Sequence, residues 1–179
     1  FSGLDKGIRE DGFTHLIGYT LVGLIEIYRL KNSNCNFDLI FERLKQAGSN
    51  LIRFYQYKSN HRDKFKYAGF PGFFNSEWEA RSKWSCVTGN VQIEYFFREL
   101  SKYDRNDAYL EIADQINEET KKLHIVENII DENLKGSLFG SDPIEGEYCS
   151  YQVPNWGVKF FADSLIKKIN TFKNEYCIG

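Results

Sequence analysis

The chain has 179 residues, a formal net charge of -2, 42% apolar side chains and 16% aromatic ones. This length and composition predict one folded domain over residues 1–179 and exclude a disordered chain. Lysine and arginine are spread along the sequence and no apolar run approaches the length of a membrane span, so neither nucleic acid nor a membrane interior is an expected partner.

Apolar residues at helical spacing predict five α-helices, and no strand pattern of similar strength accompanies them. The expected bounds are 14–30, 37–47, 89–103, 107–123 and from about 156 onward. Gly48 is placed where helices commonly end, and Thr88 is placed as an N-cap for the third helix. The sequence therefore predicts an all-α fold with little or no β structure.

The first two helices and the next two follow one pattern, which indicates a repeated helical hairpin. The apolar positions that coincide after a shift of 72 residues are Leu21 with Ile93, Leu24 with Phe96 and Ile25 with Phe97. Any two amphipathic helices align in part, but here the short turns that follow them match as well. The fifth helix would then begin a third unit.

Three long segments separate the hairpins and precede the first one, at 1–13, 49–87 and 124–154. If the hairpins pack side by side in the same sense, all three segments lie at one end of the helices. The middle segment carries ten aromatic residues between Phe54 and Trp84, too many for a disordered linker. We therefore expect an ordered face of loops, and long loops in compact domains commonly carry function.

Two acidic residues, Asp142 and Glu145, stand in a Gly/Pro-rich loop just before the fifth helix. Two carboxylates that flank a glycosidic bond are the usual equipment for sugar hydrolysis, although Ser-Asp-Pro is also common in a solvated turn. Asp163 on the fifth helix is a third candidate carboxylate. Its spacing from Lys159 also allows an ordinary ion pair.

Amide, imidazole and aromatic side chains cluster at the same helix starts. Asn90 and Gln92 lie in the first turn of the third helix, where they either bind a polar ligand or belong to a capped helix start. His15, at the start of the first helix, is a candidate for proton transfer or ligand contact. The remaining expected ligand-binding residues are Trp84, Tyr148, Tyr151, Asn155, Trp156 and Lys159.

Metals and cofactors are not expected. The three histidines and four cysteines are scattered, and no nucleotide-binding or metalloprotease motif occurs. Widely separated cysteines fit a reducing compartment, so we expect a cytoplasmic protein. Because the sequence contains no methionine, we also expect it to be a C-terminal fragment of a longer chain.

Three motifs carry a family resemblance: C-x-T-G-N-x-Q at 86–92, G-S-x-P-x-x-G-x-Y at 140–148 and P-N-W-x-x-K-F-x-x-D at 154–163. Together they resemble the (α/α) toroid proteins. More narrowly, they are similar to an uncharacterised bacterial and archaeal group of six-hairpin-glycosidase-like architecture that is found with surface-polysaccharide genes. The resemblance implies inner helices lining a cavity, loops at its mouth and a saccharide ligand, but it implies no catalytic residue.

A full toroid needs about six hairpins, whereas this sequence supplies two and a half. We therefore expect an arc of the toroid whose open inner face is covered by missing hairpins or by another copy. The leading hypothesis is a domain that acts on or binds carbohydrate, as a glycoside hydrolase or polysaccharide lyase if it is an enzyme. The first alternative is a non-catalytic glycan- or protein-binding module. The second is a terpenoid-cyclase-like toroid, but the Asp-rich motifs of such enzymes do not occur in this sequence.

Overall fold

The computed structural model describes residues 11–31, 35–127 and 131–176. Five α-helices dominate the structure, which confirms the expected mostly helical fold. They are α1 (Thr14–Leu30), α2 (Phe37–Asn60), α3 (Val87–Leu100), α4 (Ala108–Leu123) and α5 (Asn155–Tyr176). Within these ranges, no helix is both long enough and apolar enough to cross a bilayer.

Helix α2 is longer than predicted. It spans 24 residues and continues through Gly48, so the expected end at that glycine is wrong. Gly48 is buried, and a Cβ there would lie 3.0 Å from side-chain atoms of both Leu100 and Tyr109. The glycine therefore allows α2 to pack closely against the end of α3 and the start of α4. Because Leu51 and Tyr55 continue the buried face beyond it, the helix has no reason to stop.

Helix α3 is the central helix, and every one of its residues except Tyr95 is buried. Its N-cap is Cys86, whose sulfur accepts a hydrogen bond from the Gly89 nitrogen at 3.4 Å, so the predicted cap at Thr88 is wrong. The helix also ends earlier than expected, at Leu100. Because it is buried on all sides, its polar side chains must find partners inside the protein.

The helix contacts define two rows. One row is α1–α3–α5 with α3 in the middle, and the other is α2–α4, while α1 also packs on α2 and α3 on α4. Helices α1 and α3 approach closely, because a Cβ at Gly18 would lie 2.9 Å from the Gln92 Cβ and one at Gly89 would lie 3.0 Å from the His15 nitrogen. The first turns of these two helices therefore lie side by side.

Four two-residue strands tie the loops together. β1 (Gly12–Phe13) pairs antiparallel with β2 (Phe73–Phe74), and β3 (Ser85–Cys86) pairs antiparallel with β4 (Ser141–Asp142). We call residues 11–13, 61–86 and 136–154 the loop layer. Further backbone hydrogen bonds join the helix starts to this layer, from Thr14 of α1 to Gly72 and from Val87 of α3 to Gly140, each at 3.0 Å. The described parts of the three long segments therefore converge at the start of α1 and α3; residues 1–10 lie outside the described ranges.

A short stretch of the loop layer, Ala68–Phe70, is held by side chains from four different elements. Asn90 of α3 accepts from the Phe70 nitrogen at 2.8 Å, and Asp142 of β4 accepts from the Ala68 nitrogen at 2.6 Å. The other two partners both bind Gly69: Glu119 of α4 accepts from its nitrogen at 2.6 Å and Lys58 of α2 donates to its carbonyl at 2.7 Å. We call Ala68–Phe70 the clamped segment.

Candidate functional site

The candidate site lies where α1, α3 and α5 begin, beside residues 140–154 of the loop layer. Five aromatic or imidazole side chains meet there, and we call them the aromatic cluster: His15, Tyr19, Tyr148, Trp156 and Phe160. Helix α1 supplies His15 and Tyr19 four residues apart, and α5 supplies Trp156 and Phe160 at the same spacing. Each pair therefore lies on one face of its helix.

Ring contacts link the cluster from α1 to α5. The centroids of His15 and Tyr148 are 5.3 Å apart, those of His15 and Tyr19 are 6.0 Å apart, and those of Tyr19 and Phe160 are 5.9 Å apart. Tyr19 and Phe160 meet edge to face, an arrangement that aromatic quadrupoles favour. The cluster is thus a continuous aromatic surface that spans two helices.

Trp156 is the most accessible large ring among the predicted site residues on this surface. Its side chain is 46% exposed, yet its Nε1 donates a hydrogen bond to the Tyr148 hydroxyl at 2.6 Å. Burial raises the pKa of Tyr148 to about 12, so its hydroxyl stays protonated and can also donate. The hydrogen bond fixes the orientation of an exposed indole, which is what a ligand that stacks on it needs.

His15 is held in a defined orientation beneath this surface. Its Nδ1 lies 3.0 Å from Oε1 of Gln92, so in this arrangement Nδ1 carries the proton and donates. Partial burial lowers the pKa of His15 from its ordinary value, and the hydrogen bond that it donates to Gln92 opposes this only in part. The imidazole is therefore neutral at pH 7, and its Nε2 lone pair can accept a hydrogen bond or a proton.

Gln92 is one of the few buried side chains here with an unused polar atom. It is fully buried, and its Nε2 has no hydrogen-bond acceptor among the described residues. A buried donor without a partner is costly, by about 1–3 kcal/mol. This donor belongs to the same amide that binds His15, so the site contains a polar group that the described residues do not satisfy.

Two of the predicted ligand-binding residues instead hold the loops in place. Both ends of the Asn90 amide bind the backbone of the clamped segment, with Nδ2 donating to the Ala68 carbonyl at 3.1 Å. Trp84 is only 8% exposed and packs edge-on against Phe13 and Phe73. Its faces are covered, so it gives no open stacking surface.

The carboxylates of Asp142 and Glu145 lie in different environments. Asp142 is half-buried and binds the Ala68 nitrogen, so it belongs to the clamped segment rather than to a solvated turn. Glu145 is exposed on a tight turn in which the Gly146 nitrogen donates to the Pro143 carbonyl at 2.9 Å. The simple turn interpretation fits Glu145.

Asp163 forms the ordinary ion pair that its spacing allows. Its Oδ2 lies 2.6 Å from Nζ of Lys159, and the lysine ammonium also lies 4.5 Å from the centroid of the Phe160 ring. This pair stands at the α5 edge of the aromatic cluster. It can present a cation and a carboxylate to a ligand lying on Phe160.

The last two predicted residues lie at the rim. Tyr151 is 68% exposed, and its backbone has a left-handed φ of 56°. Asn155 is the first residue of α5 and is exposed. Both lie near the exposed indole in the chain and are accessible.

Sequence reasoning missed Tyr19 and Phe160. Tyr19 lies in the middle of an amphipathic helix and Phe160 in an apolar run, where an aromatic side chain is ordinary. A signal was present, since each follows a predicted site residue by four positions and must share its helix face.

Over the described ranges, no group of three or more His, Cys, Asp or Glu side chains is placed to hold a metal ion.

Comparison of the chain with protein-family models, with curated proteins and with solved structures finds no match. The function has to be inferred from the residues and their geometry.

Proposed function

We propose that this chain binds a saccharide on the aromatic cluster. The observation that carries the proposal is the Trp156 indole, which is 46% exposed and fixed by a 2.6 Å hydrogen bond to Tyr148. Sugars present apolar C–H faces and polar edges, which suit a rigid aromatic surface bordered by hydrogen-bonding groups. His15 and the Lys159–Asp163 pair supply such groups.

Binding without hydrolysis fits the carboxylates better than catalysis does. A glycosidase needs two carboxyl groups on either side of the scissile bond. Here Asp142 binds a loop nitrogen, Glu145 lies on an exposed turn and Asp163 pairs with Lys159. Because the three acids have separate roles, we favour a non-catalytic glycan-binding module over a glycoside hydrolase.

A polysaccharide lyase is the second candidate, and His15 favours it. A neutral imidazole whose Nε2 has no hydrogen-bond partner among the described residues can act as a general base, and the protonated Tyr148 hydroxyl beside it can act as an acid. Incubation with uronate-containing polysaccharides, followed by the ultraviolet absorbance of unsaturated products, tests this candidate. Activity that disappears in His15→Gln would establish it.

We also propose that the two rows of helices form an arc of an (α/α) toroid in a cytoplasmic protein. The order α1–α3–α5 beside α2–α4 supports the arc, and free cysteines at 35, 86 and 149 support a reducing compartment. A closed ring would need further hairpins or a second copy. Sedimentation equilibrium separates these, because a monomer at high concentration excludes the second copy.

The binding test uses the full chain and a panel of neutral, N-acetylated and uronate-containing oligosaccharides, measured by calorimetry and tryptophan fluorescence. Trp156→Ala should weaken binding about tenfold or more, because a central aromatic contact is lost. Tyr57→Ala is the matched control, since Tyr57 is 45% exposed on α2, away from the cluster. The proposal fails if no oligosaccharide binds, or if Trp156→Ala binds as tightly as the control.

A further inference from the structure

A concave surface lies away from the aromatic cluster. It is an open groove of about 580 Å³ between the second half of α2, the start of the loop that follows it, and α4. Small-molecule sites commonly have volumes of about 300–1,000 Å³. Tyr55 and Phe65 give the groove aromatic walls, and charged side chains line much of the rest. Its size and lining suit a small molecule that is partly apolar and partly charged.

The acidic side chains of the groove are already engaged by the protein. Asp114 accepts from Arg98 at 2.8 Å and lies 3.2 Å from the ammonium of Lys168. Glu118 lies 2.7 Å from Lys121 and 3.3 Å from the same Lys168. Internal cations therefore neutralise both carboxylates, so neither is free to attract a ligand cation.

The third acid of the groove, Glu119, binds the backbone of the clamped segment. It accepts from the Gly69 nitrogen at 2.6 Å and lies 3.8 Å from the ammonium of Lys58. Lys58 is 7% exposed and uses one of its protons for the Gly69 carbonyl. Glu119 and Lys58 thus balance each other's charge at the inner wall of the groove.

Two cations of the groove remain without such partners. Arg62, two residues after α2, and Lys122, at the end of α4, are exposed, and neither has an ion pair among the described residues. A second polar group is also unused, because the Tyr67 hydroxyl is buried and has no hydrogen-bond partner within the described ranges. Tyr67 is 6% exposed and lines the same groove. The groove therefore has two unpaired positive charges and one unsatisfied hydroxyl.

We propose that this groove binds a small phosphorylated molecule. Arg62 and Lys122 match the charge of a phosphate monoester, which is close to a dianion at pH 7. The apolar part of the ligand would lie against Phe65 and Tyr55, and rearrangement of Tyr67 on binding would give its hydroxyl a partner. This site shares no residue with the aromatic cluster, and the proposal stands independently of saccharide binding.

The test is calorimetric titration of the full chain with inorganic phosphate, glucose 6-phosphate and glucose at constant ionic strength. We expect saturable binding of both phosphate compounds, tighter for the larger one, and none of glucose at this groove. Arg62→Gln/Lys122→Gln should weaken binding of glucose 6-phosphate about tenfold or more, because two charge-assisted contacts are lost. Tyr67→Phe should weaken it less.

Lys64→Gln/Lys66→Gln is the matched control, because it removes two positive charges at exposed positions in the same loop that do not line the groove. It should retain binding within about twofold of the wild-type chain, since screened charges at a distance contribute little. Far-UV circular dichroism shows that each variant is folded. Absence of saturable phosphate binding, or equal weakening in both double variants, would overturn the proposal.

Discussion

The two halves of α3 are buried alike but satisfy their polar groups in different ways. The first half carries neutral amides, and these bind the loop backbone and His15. The second half carries charges, and Glu94 lies 3.0 Å from Arg98 inside the protein. Burial alone therefore does not separate a structural polar residue from one near a ligand; the identity of its partners does.

The second half of α3 should respond most strongly to substitution. Arg98 is 2% exposed and binds both Glu94 and Asp114, so Arg98→Met leaves the fully buried Glu94 without its cation. Loss of one partner of a buried pair costs about 3–5 kcal/mol. Urea unfolding measures this free energy directly.

The matched control for Arg98 is Lys102→Met. Lys102 pairs with Glu99 at 2.7 Å, but its side chain is 49% exposed and Glu99 keeps a second partner in Lys167 at 2.8 Å. The expected loss is below about 1 kcal/mol. If the two variants unfold at the same urea concentration, the second half of α3 is not held by its buried charges.

Asn90 in the first half should give the next largest effect. Asn90→Ala removes both hydrogen bonds to the clamped segment and leaves buried backbone groups unsatisfied, at a cost of about 2–3 kcal/mol. Hydrogen exchange should show faster exchange of the Phe70 amide in particular. Asn170→Ala, at an exposed position of α5, should change neither quantity.

His15 should give the smallest effect, visible as a dependence on pH. Because burial lowers its pKa below the ordinary 6.5, the unfolded chain binds more protons at this residue than the folded chain does as the pH falls. The free energy of unfolding should therefore decrease as the pH falls through that value. His15→Phe should remove this contribution.

The measurement compares unfolding free energies at about pH 7.5 and about pH 5.5 in the wild-type chain and in His15→Phe. Other groups titrate in both proteins, so the difference between the two chains isolates His15. A wild-type chain that loses no more stability than the variant would contradict a partly buried, neutral imidazole beside the first half of α3.

Helical periodicity correctly predicted both ends of α1. One face of that helix is buried, so the apolar spacing marks its length in the local sequence. The end of α2 was mispredicted because a glycine can end a helix or bring two helices together, and only Leu100 and Tyr109 decide which. That decision depends on residues more than fifty positions away, which local spacing does not reveal.

The sequence predicted which residues of the candidate site lie close together, while their roles stay predictions. Motifs at the helix starts correctly pointed to His15, Gln92, Tyr148 and Trp156 as neighbours at one end of the helices. For Asn90 the sequence left both a ligand role and a structural role open, because its partners are backbone atoms of a loop, which no side-chain pattern marks. The groove was not predicted, because the sequence does not show which of its charged residues form ion pairs and which do not.

The clamped segment also has a consequence for how the chain folds. Its contacts with four different side chains include hydrogen bonds that span 11, 20, 50 and 74 residues along the sequence. Each such closure costs chain entropy, and all four depend on elements that must already be in place. We expect Ala68–Phe70 to order late, so that the amide protons of these three residues report on completed assembly of the whole helical array.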